Sequence, residues 1–342
     1  MSIKMLIFDY SDVEKDYFKN NKLEDFEIDF FENSLNERTV NNLPDYILDE
    51  TTVISVFKTS RINAEVLSKF KNLLIITTRS RGYEHINLED CCKRHIKVLN
   101  VEQYGVESAV EYTIAMILML TRNIIFAIND VKSFKLSFER YKGRELKSLT
   151  LGILGTGCIG KELCKLACKL GMTILTYDIK PDKELIETCN VRYTDKNTLF
   201  TNSDVITLNL PLNNTTKNTI TRLELSKMKS TSYIINISHG ELINTEDLYK
   251  ALVNKKIAGA ALDTTECEKY GIIAGDTNVS EILKNPDCIN KTVFTRRLAM
   301  LENVILTPHI AYNTKEATKK MLDLTIHSIE ECLQGGHSNQ VN

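Results

Sequence analysis

The sequence lacks several features that would assign it to a specialised class of protein. None of its nine cysteines forms a CxxC pair, so no zinc knuckle and no metal site are expected. Its 43 lysines and arginines and 45 aspartates and glutamates give a net charge of -2 and are scattered along the chain, which argues against a nucleic-acid partner. Internal repeats and low-complexity tracts are also absent. These absences indicate an ordinary globular protein.

The cysteines favour reduced thiols over a disulfide framework. Nine is an odd number, and several cysteines, such as Cys164 and Cys168, lie within apolar helical patterns. The first ten residues, MSIKMLIFDY, lack the charged start, long apolar core and cleavage site of a secretory signal, and they predict a strand instead. We therefore expect a cytoplasmic protein with buried, reduced thiols.

The most apolar window, AVEYTIAMILMLTRNIIFAI, spans residues 109–128 and includes Glu111 and Arg122. Charged and polar residues inside a span are costly in a bilayer, so this window predicts a long buried helix between two domains rather than a membrane span. No membrane partner is expected.

Short apolar runs alternate with helical patterns along most of the chain, which predicts an α/β fold with parallel sheets. Four runs lie in the first hundred residues, and six more follow residue 148. With 342 residues and 43% hydrophobic content the chain is long enough for two domains. A last helical segment has apolar residues at helical spacing and is expected to return to the first domain, followed by a frayed tail after Gly336. The predicted parts are 1–101, 102–310 and 311–342.

The strongest local motif is a GxGxxG loop between a predicted strand and a predicted helix. Gly155 permits the tight turn, Gly157 lets the backbone approach a pyrophosphate, and Gly160 lets the helix pack on the strand. Asp178 ends the next strand, where a carboxylate accepts hydrogen bonds from ribose hydroxyls and repels a 2′-phosphate, so NAD is expected rather than NADP. We also expect cofactor contacts from Cys158, Ile159, Asn209 and Pro211.

Several motifs in order resemble the D-isomer-specific 2-hydroxyacid dehydrogenases. They are TTRSRGYEHINLEDC, VEQYGVESAVEYT, SDVITLNLPLNNTTKNTIT, INISHGELINTEDLYKAL, KIAGAALD and LTPHIAYNT. The likeness runs from about Asn72 to Met321 and is strongest to the D-lactate dehydrogenase branch. It implies a Rossmann-type NAD domain and a discontinuous, flavodoxin-like substrate domain. It also implies a homodimer formed through the helix that begins near Glu107.

The resemblance implies hydride transfer between nicotinamide and the C2 atom of a 2-oxo or 2-hydroxy acid. His309 matches the catalytic histidine, which protonates the forming alkoxide in one direction and accepts the hydroxyl proton in the other. Glu268 matches the carboxylate that orients this imidazole and favours its protonated form. Asp263 matches a residue near the nicotinamide carboxamide. In isolation, His309 would be interpreted as a histidine that caps a loop or is satisfied in the core, Glu268 as a solvated loop acid and Asp263 as a turn acid at the end of a strand.

The resemblance also implies a substrate site. Backbone N–H groups of the loop with Arg81 and Gly82 match the family's carboxylate-binding loop, and Tyr104 matches an aromatic residue near the substrate. Pyruvate is the first substrate expected.

The chain departs from the family pattern at His239, where the family has an arginine that binds the substrate's carboxylate and carbonyl with paired hydrogen bonds. It also has Arg81 where the family has a small apolar residue. One hypothesis is that Arg81 supplies the missing charge, which leaves room for a more anionic oxo acid; another is that Arg81 faces solvent and the enzyme is weakened. A protonated His239 would instead make activity fall as the pH rises. A substitution introduced to disable the protein is a fourth reading.

A non-catalytic alternative stays open at this point, because the same family includes NAD(H)-binding corepressors of the C-terminal binding protein type. A damaged substrate site with an intact glycine loop would suit such a scaffold. The presence of both Glu268 and His309 argues against it, because a scaffold has no chemical use for that pair.

Overall fold

The structure is a computed structural model that describes residues 2–21, 25–134, 136–268 and 285–342. By internal contacts the chain forms two compact units, one of Met1–Gly105 with Asn313–Asn342 and one of Val106–Tyr312. The sequence places the corresponding boundaries after residues 101 and 310.

The first unit is built on a five-stranded parallel sheet in the order β2-β1-β3-β4-β5. This order is that of flavodoxin-like sheets. Four strands coincide with the predicted apolar runs. The unpredicted β2 is an edge strand in which Glu27 and Asp29 alternate with aromatic and aliphatic residues. The strands are β1 (Ile3–Phe8), β2 (Phe26–Phe31), β3 (Thr51–Val56), β4 (Ile75–Thr78) and β5 (Lys97–Leu99).

Helices cover both faces of this sheet. In chain order they are α1 (Asp12–Asn20), α2 (Asp45–Glu50), α3 (Ala64–Ser68) and α4 (Leu88–Lys93), and the C-terminal helix α13 spans Lys315–Leu333. Helix α13 buries Met321, Leu322 and Ile329 in one core with Met5 and Ile7 of β1. These residues repeat at helical spacing, so the apolar face of α13 is the face that the sheet covers.

The prediction of a frayed tail is wrong. The N–H of Val341 donates to the carbonyl of Val98 at 2.9 Å, and Gln340 bridges Leu99 in antiparallel fashion. The tail thus covers the free edge of β5, which would otherwise leave backbone groups unpaired.

The second unit contains a seven-stranded parallel sheet in the order β12-β11-β10-β9-β6-β7-β8. The six predicted strands are all present, and β8, a two-residue edge strand, was not predicted. The order reverses between β6 and β9, which is where open α/β sheets bind ligands at the carboxyl ends of their strands. The strands are β6 (Thr150–Leu154), β7 (Thr173–Tyr177), β8 (Arg192–Tyr193), β9 (Val205–Leu208), β10 (Tyr233–Asn236), β11 (Gly259–Leu262) and β12 (Val304–Leu306).

Helices pack on both faces of this second sheet as well. They are α5 (Val106–Thr121), α6 (Ile124–Lys132), α7 (Cys158–Lys169), α8 (Lys183–Cys189), α9 (Lys196–Asn202), α10 (Arg222–Lys227), α11 (Thr245–Val253) and α12 (Pro286–Ala299). The core on one face joins α5 and α7 to β6, and the core on the other face joins α11 and α12 to β10 and β11.

The prediction of one long helix over residues 109–128 is wrong, because two helices occupy that window. Asn123 separates them with a left-handed backbone (φ 54°), a conformation that asparagine tolerates better than most residues. Half of α5 is buried, whereas no residue of α6 is. Among the described residues no single helix has the length and apolarity to cross a membrane, although α5 and α6 pass that test as a pair bent by 63°.

The expectation that the thiols are reduced is wrong for one pair. Cys267 and Cys288 form a disulfide that joins the loop after β11 to the first turn of α12. The other seven cysteines are free. Burial raises the pKa of Cys91 and that of Cys164 to about 12, so these two thiols stay protonated, as expected of cysteines that pack in a core.

Candidate functional site

The glycine loop forms a cradle between β6 and α7. Gly155 has φ 92°, and a Cβ atom there would overlap the carbonyl of Asn209. A Cβ at Gly160 would overlap the carbonyl of Gly155, so the helix can approach the turn only without side chains. Gly157 caps α7 and faces open space within 4 Å. The loop therefore leaves a backbone surface free at a helix N-terminus, as pyrophosphate binding requires.

Asp178 lies at the carboxyl end of β7 and is tied to that loop. Its Oδ2 accepts hydrogen bonds from the Thr156 N–H at 2.7 Å and from the Thr156 hydroxyl at 3.2 Å. Its Oδ1 accepts from the N–H of Lys180 at 2.8 Å. The hydroxyl of Tyr193 donates to Thr156 at 3.0 Å and extends the network to β8. The carboxylate is thereby held in place beside the cradle, where ribose hydroxyls are expected.

Asn209 and Pro211 follow β9 on the other side of the glycine loop. The Asn209 side chain donates to the Thr207 hydroxyl at 3.2 Å, but its buried Oδ1 has no hydrogen-bond partner in the described structure. A buried acceptor without a donor calls for a partner from a ligand or water. Together with the open face of Gly157, this unpaired oxygen makes the site fit a dinucleotide. Pro211 is exposed, and Cys158 and Ile159 begin α7.

His309 and Glu268 meet as the sequence predicts. Nδ1 of His309 lies 3.0 Å from both carboxylate oxygens of Glu268, so the carboxylate straddles one ring nitrogen. Both side chains are about 30% exposed, at 31% and 29%. Because a carboxylate can only accept in this contact, Nδ1 of His309 carries a proton.

Asp263 holds the loop on which His309 lies. It is fully buried at the end of β11, and its Oδ1 accepts from the Thr307 hydroxyl at 2.6 Å and from the Ile310 N–H at 3.0 Å. Its Oδ2 accepts from the Ala311 N–H at 2.8 Å. These bonds stabilise the left-handed backbone of His309 (φ 54°). Its predicted proximity to the nicotinamide stays a prediction.

Tyr112 of α5 is a neighbour of this network to which no motif in the chain pointed. Burial raises the pKa of its hydroxyl, and the charge of Asp263 adds a smaller increase, while nearby Thr307 lowers it. Tyr112 therefore stays neutral as a hydrogen-bonding group under the histidine loop.

His239 lies just after β10, at the sheet edge where ligands bind. Its side chain is exposed, and its carbonyl accepts a hydrogen bond from the Asn236 side chain at 2.7 Å. Gly240 packs directly on the backbone of Thr265 and Glu266, since any Cβ there would overlap both residues. The loop with His239 is therefore pressed against the loop that leads to Glu268.

Glu266 was also missed, because a glutamate within TTECEK is expected to be a solvated loop acid. It is buried at 3% exposure, and its Oε2 accepts from the N–H and the hydroxyl of Thr245 at 2.9 and 2.7 Å. Its Oε1 lies 2.7 Å from Nζ of Lys291 on α12. The one sequence signal that could have identified Glu266 is its position two residues before Glu268.

In the first unit, Arg81, Gly82 and Tyr104 lie in the loops that follow β4 and β5. The carbonyl of Arg81 accepts from the Asn100 side chain at 3.0 Å, and that of Ser80 accepts from the Val101 N–H at 3.1 Å, so the two loops are joined. Arg81 is exposed, and within the described residues the N–H groups of Arg81 and Gly82 have no acceptor. Tyr104 is half-buried on the core formed with α13.

Comparisons with known proteins agree on one family. The model of the D-isomer specific 2-hydroxyacid dehydrogenase NAD-binding domain matches residues 114–311. The chain is 34% identical over 276 residues to a hydroxypyruvate reductase of Thermotoga maritima (80% of this chain, 82% of the relative). It is 32% identical over 327 residues to an aromatic 2-oxoacid reductase of Clostridium sporogenes (92% and 96%).

Solved structures agree with these sequence relatives. The fold is similar to that of D-lactate dehydrogenase from Aquifex aeolicus, in a crystal complex with NAD and lactic acid, with a TM-score of 0.81 and 31% identity. That likeness covers 98% of each chain.

Proposed function

Since the chain belongs to the D-isomer-specific 2-hydroxyacid dehydrogenases, and is therefore an NAD-dependent enzyme that acts on a 2-oxo acid, we propose that it interconverts a pyruvate-like 2-oxo acid and its D-2-hydroxy acid with His309 as the general acid and base. The observation that carries this assignment of roles is the His309–Glu268 contact at 3.0 Å, in the same unit as the glycine-loop cradle.

The cofactor is NAD. When bound, it supplies or accepts the hydride. The residues that would hold it are the cradle of Gly155, Gly157 and Gly160 for the pyrophosphate, Asp178 for the ribose hydroxyls, and Asn209 through its unpaired oxygen. We propose that Cys158, Ile159 and Pro211 contact it through their backbone and apolar atoms.

The chemistry of the chain itself lies in one proton transfer. Glu268 accepts the hydrogen bond of Nδ1–H, so Nε2 of His309 donates a proton to the substrate oxygen in reduction and removes it in oxidation. General acid–base catalysis of this kind contributes about 10²–10⁴-fold to a rate.

We propose that the Arg81–Gly82 loop binds the substrate carboxylate. Its two N–H groups have no acceptor among the described residues, and the Arg81 side chain, which is exposed, enters no ion pair there. We propose that the Tyr104 side chain lies next to the same loop and contacts the substrate. An arginine in this position extends the range of substrates to more anionic 2-oxo acids, because a guanidinium binds a second carboxylate with two parallel hydrogen bonds.

The experiment is NADH oxidation with a panel of 2-oxo acids that includes pyruvate, hydroxypyruvate, phenylpyruvate and a 2-oxo dicarboxylate. We expect turnover of at least one of them, with kcat reduced about a hundredfold or more in His309→Ala and in Glu268→Gln. An Arg81→Ala variant that loses only the dicarboxylate assigns that arginine to substrate choice.

The opposite outcome is equally informative. Tight NADH binding without turnover of any acid, or turnover unchanged in His309→Ala, would contradict the proposed enzyme function. It would favour the alternative of an NAD(H)-binding scaffold that has lost its family arginine at position 239.

We also propose that the protein is a homodimer that works in the cytoplasm. The segment from α6 to residue 138 exposes large apolar side chains, among them Phe134 at 95% and Phe138 at 84%. An apolar surface of this kind is typical of an interface with a second protein. Light scattering after gel filtration should give twice the chain mass of 39.0 kDa, and a Phe134→Ser, Phe138→Ser variant should give the monomer mass.

A further inference from the structure

Helix α12 is joined to the loop after β11 by two links on one side of the helix. Cys288 forms the disulfide with Cys267, and Nζ of Lys291 pairs with Glu266 at 2.7 Å. Residues three apart on a helix point to the same side, so both links hold the same piece of loop. That piece leads directly to Glu268.

The two links do not hold the loop equally close to Glu268. Glu266 is anchored by Thr245 as well as by Lys291, and Gly240 packs on the backbone just before it. Cys267 is the only residue between this anchor and Glu268. The disulfide is therefore the last constraint on the chain before the carboxylate that orients His309.

The backbone of Cys267 depends on this constraint. Its φ of 54° lies in the left-handed region, which a residue with a side chain adopts only when its surroundings require it. When the sulfur is released, the residue can relax to a negative φ, and such a change at Cys267 reorients the residue that follows. Glu268 is that residue, and its bond to Nδ1 of His309 requires an alignment within a few tenths of an ångström.

We propose that the Cys267–Cys288 disulfide positions Glu268, so that the turnover of the enzyme depends on the thiol–disulfide state of this pair. The proposal rests on the proposed function of His309 and Glu268. Both cysteines are positioning residues, since neither touches the reacting atoms.

A dithiol is the class of reductant that would act on this site. Its thiolate attacks one sulfur, the Cys267–Cys288 bond breaks, and the released thiolate takes up a proton. The second thiol of the reductant then displaces the remaining protein sulfur. The protein gains two thiols while the dithiol becomes a cyclic disulfide, so atoms and electrons balance. Both cysteines are half-buried and are thus partly accessible to a small dithiol.

The test compares the oxidised protein, the same protein after dithiothreitol and a Cys288→Ser variant, with intact mass to count thiols. We expect reduction to lower kcat on the order of tenfold, because a misplaced catalytic group costs up to a hundredfold, with NADH affinity unchanged. Cys288→Ser should match the reduced protein and should not respond to dithiothreitol. A Cys189→Ser variant, which changes a free cysteine of the same unit, should respond like the original protein.

Repeating the reduction in the Glu268→Gln variant distinguishes a disulfide that positions Glu268 from one that only stabilises the fold. If the disulfide acts through Glu268, reduction has no further effect on kcat in that variant. An equal loss in both backgrounds overturns the proposal, as does an unchanged kcat in a protein whose mass shows the bond reduced. A protein that contains nine free thiols after oxidation overturns it as well.

Failure of the proposed function gives a different pattern, namely no turnover or a His309→Ala variant as active as the original. The coupling is then measured by NMR of 15N-labelled histidine, with the His309 resonances assigned by their loss in His309→Ala. A change of the His309 ring shifts on reduction supports the positioning role without any activity. Unchanged shifts overturn it.

Discussion

Asp263 Oδ2 accepts a hydrogen bond of 2.8 Å from the N–H of Ala311, two residues beyond His309. The same carboxylate binds Ile310 and Thr307 through its other oxygen, so one buried side chain determines the course of the backbone on both sides of the histidine. The placement of His309 beside Glu268 thus depends on a third side chain, that of Asp263.

An Asp263→Asn variant tests this dependence. One oxygen becomes an NH₂ group that faces a backbone N–H, so a buried donor loses its acceptor, and we expect a loss of about 2–4 kcal/mol in the free energy of unfolding. Turnover should fall more steeply than NADH affinity. Urea denaturation and steady-state kinetics measure both effects. Asp195→Asn is the matched control, because Asp195 caps α9 at an exposed position where asparagine caps equally well.

Alanine should lower mainly the NADH affinity when it replaces Gly157 and mainly the free energy of unfolding when it replaces Gly160. A Cβ at Gly157 meets no atom within 4 Å, so the free energy of unfolding should change by no more than about 1 kcal/mol, the cost of alanine at an N-cap position. The methyl group nevertheless occupies the open face of the cradle, and NADH affinity should fall about tenfold or more, as titration of NADH fluorescence would show. Gly160→Ala should instead destabilise the fold by about 1–3 kcal/mol through overlap with Gly155. Equal NADH affinity in Gly157→Ala and the original protein would show that the pyrophosphate does not bind at this loop.

Asp178 should determine the choice between NADH and NADPH. Replacing it with serine removes the charge that repels a 2′-phosphate and keeps a hydroxyl for the Thr156 N–H, so the NADPH to NADH ratio of kcat/KM should rise about tenfold or more. Glu187→Ser removes an exposed acid from α8 and should leave the ratio unchanged. A constant ratio in Asp178→Ser would show that another group recognises the ribose.

The ion pair between buried Glu266 and Lys291, whose side chain is 33% exposed, should matter more for stability than a pair in which both side chains are exposed. In Glu266→Gln one oxygen becomes an NH₂ group, so the remaining oxygen can serve either the two Thr245 donors or the Lys291 ammonium, and we expect a loss of about 1–3 kcal/mol by thermal or urea unfolding. The control is Glu246→Gln, which removes an exposed ion pair with Lys250 on α11 and should cost less than about 0.5 kcal/mol. Similar values for the two variants would contradict the buried role of Glu266.

His239→Arg should restore the paired donors that the family uses. We expect kcat/KM for pyruvate to rise roughly ten- to hundredfold, because an arginine at a developing oxyanion lowers the barrier by a few kcal/mol. His239→Gln, which keeps the size without the charge, serves as the comparison. If His239→Arg lowers activity, the site is adapted to histidine, and the most active acid in the panel identifies the substrate class.

The sequence by itself determined the fold class and the glycine loop, and its family resemblance predicted the contact between His309 and Glu268. Apolar runs and glycine spacings are local patterns, so β6, the turn at Gly155 and the start of α7 could be predicted from one window of the chain. His309 and Glu268 are 41 residues apart, and only their family context connected them.

The tertiary structure alone decided which residues surround that pair. From the sequence Glu266 is expected to be a solvated acid, but in the structure it binds Thr245 of α11 and Lys291 of α12. Cys267 is expected to be a free thiol, but it forms a disulfide with Cys288. Burial, bond partners and a left-handed φ depend on segments that are distant in sequence, whereas composition and spacing report only on neighbours. The sequence therefore indicates which residue types and motifs are present, and the packing of distant segments decides their burial and their bonding partners.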